Sequence, residues 1–396
     1  MKFNTFYKQV STGILFIFIL MSSAFAAKNN IPEPFRGDDA SSKFTINYDD
    51  LDSLLTASVL KTGRSHREKA KKAKASIGSR MKNKVNQLTA NEGNLFYFEG
   101  FKGEQQKELL SKIRHSLEKL PTDAPLKYFT KDEQLAYWLN LYNVTMLDEI
   151  IKVYPKRDLE DFLTDNDSIL NKKILTVAGI KLSLNDIQYK ILKEKYNSDP
   201  LIIYGLYQGI IGGPNIRKHP FTGKNVYSAL KANANEFINS NRGVYAAKKN
   251  VIRVSNLYRR NEDYFPHFKT DLKKHLLTYV EGYTRRQLEN SKKIKPNIKD
   301  WKITDLYGTT RSYGVGVNTN SAALLDSTSR KACTGECSDA GQDAANLEAV
   351  TGAIVNRTIS FGRFSPEDIA KLKALNEVRA TNNGEVTVTD LQKKGN

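Results

Sequence analysis

The chain has 396 residues, 40% hydrophobic and 10% aromatic, with a formal charge of +18. That is ordinary globular composition, which excludes a chain too polar to bury a core, and the length suits two or three domains or one large one with extensions. The positive excess favours anionic partners, cell-surface or cell-wall polymers ahead of nucleic acid.

At the N-terminus Lys2 and Lys8 flank the start, Ile14–Met21 is an unbroken apolar run, and Ser22, Ser23, Ala24, Ala26 and Ala27 follow. This order of zones predicts a cleavable signal peptide over residues 1–26. The apolar run is shorter than the roughly 20 residues a membrane-spanning helix needs. The expectation is an exported protein, periplasmic or secreted, with no transmembrane segment. In an oxidising compartment the only two cysteines, Cys333 and Cys337 in CTGEC, read as a loop-closing disulfide, with free thiols as the alternative. No His lies near them, and zinc takes about four ligands, so no metal site is expected there.

Residues 28–45 are aperiodic and read as a leading arm. Arg64–Leu88 sets Ala70, Ala73, Ile77, Met81, Val85 and Leu88 at helical steps among many Lys and Arg, predicting an amphipathic helix. Its basic face is either a docking surface or simply solvated. Glu104–Leu120 predicts a helix stopped by Pro121. Asp132–Tyr154 is the clearest helix, with Thr130 as N-cap, Glu133 as the other half of a capping box, and Pro155 as its end. Apolar residues wrap it on nearly every side, so it is expected to be buried. Asn140 and Asn143 on it then need hydrogen-bond partners.

After Pro155, Lys173–Leu184 alternates about Ala178–Gly179 and predicts a β-hairpin. Ser183 caps a helix running to about Glu194. Asn225–Asn239 predicts a helix, Arg242–Val254 two strands joined near Asn250, and Asn261–Asn290 one long helix. Gly308–Ala345 reads as a long loop, and Pro366–Arg379 as a final helix. The fold class expected is α+β, mainly helical with a small antiparallel sheet.

Five blocks across residues 131–268 carry a family likeness: Leu135–Val144 (LAYWLNLYNV), Leu182–Leu192 (LSLNDIQYKIL), Asp199–Arg217 (DPLIIYGLYQGIIGGPNIR), Asn225–Asn239 and Val251–Phe265 (VIRVSNLYRRNEDYF). In order and spacing they resemble the domain-of-unknown-function family numbered 547. With the signal peptide and the N-terminal patterns, the resemblance divides the chain into the signal peptide (1–26), an N-terminal arm with basic helical region (27–120), the family core (121–290) and a C-terminal extension (291–396). Many members carry Cys, His and Glu in these blocks, a combination that implies thiol chemistry. Such a thiolate needs a base and an orienting group. In this chain the two Cys positions hold Gln208 and Gly213, the His position holds Ile203, and the Glu-His pair is Gln188 and Tyr189. The resemblance therefore implies a scaffold that has lost its thiol site, with no catalytic residue assigned.

The turn that remains, Gln208–His219, has Gly209, Gly212 and Gly213 followed by Asn215, Arg217 and His219. One reading is an anion- or carbohydrate-recognition loop of Gln208, Gly212, Gly213, Asn215, Arg217 and His219, held by Asn143, with Arg gripping the anion. The other is a packing turn in which Arg217 pairs with a carboxylate such as Glu149 or Asp186. The Gly spacing matches neither a dinucleotide fingerprint nor a P-loop, so no cofactor is implied. A hydrolase or transferase using Asn140, Tyr142, Gln208, Arg217 and His219 is the alternative function. His267 and His275, two turns apart on the expected helix, read as surface residues.

Overall fold

A computed structural model describes residues 30–70, 86–248, 250–306 and 362–382. The signal segment 1–26, the Gly308–Ala345 loop, Cys333 and Cys337 lie outside these residues. Among the described residues no helix is long and apolar enough to cross a membrane. The fold is α+β and mainly helical, with small sheets. One continuous apolar core takes side chains from Ile31 to Leu372.

Helix α1 (Asp49–Ser58) and strands β1 (Val59–Leu60) and β2 (Leu95–Phe96) precede the long pair α2 (Glu104–Asp123) and α3 (Lys131–Val153). α3 is the axis of the molecule: Leu135, Trp138, Leu139, Tyr142 and Met146 are all fully buried, as its all-round apolar surface predicts. Thr130 caps it, its Oγ accepting the Glu133 N–H at 3.2 Å. The Glu133 carboxylate accepts instead from the backbone N–H groups of Ile46 and Gly223, both at 2.9 Å, pinning two loops to the helix start. Pro121 does not stop α2. The bond its missing N–H forgoes would go to the carbonyl of Leu117, and Tyr137 Oη donates to that carbonyl at 2.9 Å. Arg114 ties α2 to α3 through Asp148 and Glu149, both at 2.7 Å, and pairs within α2 with Glu118 at 2.9 Å.

Beyond α4 (Glu160–Thr164), β3 (Leu175–Val177) and β4 (Ile180–Leu182) form the expected hairpin. Ala178 (φ 45°) and Gly179 (φ 77°) make its two-residue turn, both left-handed as such a turn requires. Ser183 Oγ accepts the Asp186 N–H at 3.1 Å and opens a π-helical stretch, Asp186–Leu192, that runs into α5 (Lys193–Lys195). A 3-10 turn, Pro200–Gly205, leads to the Gly-rich loop and then to α6 (Val226–Ile238).

Strands β5 (Val244–Lys248) and β6 (Val251–Ser255) pair antiparallel about Asn250 (φ 64°), as expected. β7 (Lys293–Ile298) then adds parallel to β6, a strand not expected from the sequence. Pro296 interrupts its pattern, and such a proline is tolerated at a sheet edge. After α7 (Leu257–Arg260), the expected helix 261–290 is instead a short 3-10 turn, α8 (Phe268–Tyr279) and α9 (Gly282–Glu289). Pro266 and Gly282 (φ 58°) supply the breaks. The final helix, α10, spans Pro366–Asn382.

The expected helix Arg64–Leu88 is not helical in its described ends, 64–70 and 86–88. Arg67 has φ 57°, its guanidinium donates to the Val244 carbonyl at 2.7 Å, and Ala70 N–H bonds Gln87 O at 2.8 Å. Tertiary tethers override the local pattern there. The leading arm also docks. Phe35 is fully buried, edge-on to Trp138 at 4.9 Å, and Lys195 Nζ donates to the carbonyls of Phe35 and Gly37 at 2.9 and 2.8 Å.

Candidate functional site

The Gly-rich loop is clamped from three sides. Its first clamp is the segment after β7: Ile211 N–H bonds Lys302 O and Gly212 N–H bonds Asp300 O, both at 2.8 Å, while Gly213 N–H bonds Ile210 O at 3.1 Å. A Cβ on Gly212 would lie 2.7 Å from the Asp300 carbonyl oxygen, so only glycine fits this approach. From below, Arg242, fully buried, donates to Gly213 O (3.2 Å) and Asn215 Oδ1 (2.9 Å) and grips Glu236 bidentately at 3.0 and 2.6 Å. Asn215 Oδ1 also accepts the Asn94 N–H at 2.8 Å. Gly212, Gly213 and Asn215 thus have their polar groups engaged inside the protein.

The third clamp is α3. Asn143 Nδ2 donates to Gly205 O and its Oδ1 accepts Tyr207 N–H, both at 2.9 Å. Asn140 does the same to one residue, donating to Phe221 O at 2.7 Å and accepting Phe221 N–H at 2.9 Å. Two asparagines one helical turn apart therefore splice both ends of the loop to the buried helix. Asn143→Ala is expected to lower stability by about 1–3 kcal/mol by leaving both backbone groups unpaired. Urea unfolding measures it, and a loss within error of zero would show that the loop relaxes onto water instead.

Gln208, 4% exposed, faces a different centre. Its Oε1 accepts from Arg260 Nη1 at 2.8 Å. Gln188 donates through Nε2 to Asn261 Oδ1, and Tyr189 Oη donates to Arg260 O and Asn261 Oδ1 at 3.1 and 3.2 Å. Positions 188, 189 and 208, where the resemblance puts an acid, an imidazole and a thiol, therefore converge on Arg260–Asn261. Ile203 is buried in the core and Gly213 belongs to the Arg242 cluster. The Arg260 guanidinium lies over the Trp301 ring, 4.9 Å from its centroid. Among the described residues no carboxylate forms an ion pair with it, Arg260 Nε and Trp301 Nε1 are buried without a hydrogen-bond partner, and Tyr142 Oη is buried beside Gln208. Burial pulls the Arg260 pKa below the ordinary arginine value. Burial also pushes the Tyr189 phenol up to about 12.

Residues 126–238 match the family described as Protein of unknown function, DUF547. The chain carries a DUF547 domain. No curated protein and no solved structure matches it. The DUF547 match begins before the expected start at 131 and ends with α6, short of the Val251–Phe265 block. Arg242, Arg260 and Trp301, which hold the domain's loop and Gln208, thus come from outside the matched stretch.

On the outer face of the DUF547 domain, Asn143, Arg217 and His219 line one shallow cleft with Asn140, Phe221 and Leu55, whose free volume of about 10 Å³ is that of a single water. Arg217 pairs with neither Glu149 nor Asp186. Those carboxylates are taken by Arg114 and Lys152, and by Lys173 and Lys190. Its guanidinium instead sits 5.1 Å over the Phe221 ring and makes long bonds to His219 O (3.3 Å) and Ala229 O (3.4 Å). Burial lowers its pKa from the ordinary arginine value. His219, exposed, pairs through Nδ1 with Asp52 Oδ1 of α1 at 2.7 Å. The seven candidate residues are therefore divided: Asn143, Arg217 and His219 share the cleft, Gly213 and Asn215 sit on Arg242, Gly212 sits against Asp300, and Gln208 sits on Arg260.

His275 is not a surface residue. Its ring stacks on Tyr204 at 5.7 Å, Nε2 lies 2.8 Å from Tyr204 Oη, and burial lowers its pKa to about 4. Sequence reasoning also passed over Arg242 and Arg260. Arg260 stands in the run YRRNEDYF, where a basic residue among aromatics was the available signal.

Proposed function

We propose that this protein is an exported, non-catalytic binding module whose DUF547 domain holds an anionic group of its ligand, a carboxylate or phosphate, on Arg260. The observation that carries this reading is Arg260 itself, an inward-turned guanidinium with Nε unpartnered and no carboxylate in ion-pair contact among the described residues, at the point where Gln188, Tyr189 and Gln208 converge. A guanidinium can bind such an oxyanion through two parallel N–H groups. Tyr142 Oη and Trp301 Nε1 are further donors in that neighbourhood. The formal charge of +18 suits a polyanionic ligand such as a cell-surface or cell-wall polymer. Export rests on the order of zones in residues 1–26, and N-terminal sequencing of the native protein, with Ala27 first, checks it.

The test is calorimetric titration with polygalacturonate, a polycarboxylate, and with neutral dextran. The wild type should bind the first and not the second, and Arg260→Gln should weaken binding about tenfold to a hundredfold, the value of one charge-assisted contact. Equal affinity for dextran, or unchanged affinity in a folded Arg260→Gln variant, would reject the reading. A second reading, a hydrolase or transferase without cysteine, draws on one observation: the Asp52–His219 pair presents an oriented imidazole beside Arg217 at the cleft. It predicts a turnover that His219→Gln abolishes.

A further inference from the structure

A second concavity lies at the C-terminal end of α3, against the short turn that precedes α2. Its free volume is about 300 Å³, at the low end of the range of about 300–1,000 Å³ that small-molecule sites occupy. The floor is the half-buried Tyr154 ring, backed by apolar side chains. Phe98 is fully buried and stacks on the Tyr154 ring at 5.9 Å with an interplanar angle of 20°, beside Phe101 and Ile151. The walls carry Lys102, Lys107 and Lys152, and no acidic residue lines the space.

The carboxylates that partner these lysines stand outside the lining. Glu99 takes Lys102 at 2.6 Å, Glu104 takes Lys107 at 2.8 Å, and Glu149 and Asp148 take Lys152 at 2.7 and 3.0 Å. Tyr154 Oη lies 2.9 Å from both Glu99 and Asp305, which fixes its ring and turns those two carboxylates toward the hydroxyl. An ammonium has three N–H donors, so each lysine keeps at least one for a ligand. Lys102 Nζ also lies 5.7 Å from the Tyr154 ring centroid, at the junction between cationic wall and aromatic floor.

We propose that this concavity binds a small aromatic anion, a flat ring lying against Tyr154 with a phosphate or carboxylate reaching Lys102, Lys107 and Lys152. The ring and the charge are both required. The aromatic floor alone is small, and the lysines, partly exposed, each contribute modestly. The site is separate from Arg260 and does not depend on the function proposed for it.

Titration of the full chain with phenyl phosphate, inorganic phosphate and benzyl alcohol, followed by protein NMR, tests this. Phenyl phosphate should bind with submillimolar affinity and the other two at least about tenfold more weakly, and Lys102→Gln/Lys107→Gln should weaken phenyl phosphate about tenfold. A readout on the unaltered protein is acylation of surface lysines, in which phenyl phosphate should protect Lys102 and Lys107 but not Lys373. Comparable binding of benzyl alcohol or of inorganic phosphate, or no protection at saturating phenyl phosphate, would overturn the proposal.

Discussion

Replacing Arg242 with Met is expected to cost about 3–5 kcal/mol of folding stability, more than the loss of either asparagine that ties the Gly-rich loop to α3. Arg242 is fully buried, and its guanidinium is shared between Glu236, Asn215 and the Gly213 carbonyl. Burial raises the Glu236 pKa, Arg242 opposes that rise, and Glu92, 4.0 Å from Arg242, adds to it. Removing the cation therefore leaves the buried Glu236 without its bidentate partner, takes a positive charge away from Glu92, and leaves the Gly213 carbonyl without that donor. Adding Glu236→Gln to Arg242→Met removes one of those charges and should recover part of the loss, so the pair should be strongly non-additive. Urea unfolding of both single variants and the double variant measures this. A loss under about 1 kcal/mol, or strict additivity, would show that the loop is held by residues 300–302 and the α3 asparagines without help from Arg242.

The contrast with Arg260 bears on the proposed function. Arg242 has a bidentate carboxylate and fixes the turn. Arg260 has a single side-chain acceptor, Gln208, and an aromatic face. A buried charge without a counter-ion is costly, and proteins keep such groups where a ligand supplies the missing partner. The Arg260→Gln variant should accordingly lose binding while Arg242→Met loses the fold.

What was legible in the sequence was local. The capped, all-round apolar α3, the Ala178–Gly179 and Asn250 turns, and the final helix were written in periodicity, caps and left-handed turn residues within a few positions of each other. What was not legible was set at a distance. β7 is charged on alternate residues and carries Pro296, so only its pairing with β6 makes it a strand. Residues 64–70 have a helical pattern, yet Arg67 is bound to β5. The composition of the Gly-rich loop suggested an anion nest, but its N–H groups are met by a segment almost ninety residues further along, for which the loop itself holds no signal. The sequence offered the candidate positions as one loop and one helix. Its division into a cleft, an Arg242 cluster and an Arg260 centre depended on two arginines from outside the DUF547 match.

The second large effect expected is a loss of stability in mild acid traced to His275. Its imidazole is packed among Tyr204, Phe265 and Tyr279, with Nε2 on the Tyr204 hydroxyl. Burial lowers its pKa from 6.5 to about 4, because the charged ring would lose its hydration there. Between these values the unfolded chain binds the proton and the folded chain does not, so acid favours unfolding. The contribution is fully present above pH 6.5 and is lost progressively as pH falls toward 4, where it amounts to up to about 3 kcal/mol. His275→Phe keeps a flat ring in the same packing and removes the titration, although it gives up the bond to Tyr204. Unfolding free energies of wild type and variant at pH 7, 5 and 4 isolate the effect, since every other titrating group cancels in the difference. The wild type should lose ground to the variant steadily from pH 6.5 downward. A difference that stays constant from pH 7 to pH 4 would mean that the imidazole charges freely in the folded protein, and that this part of the interior opens to water.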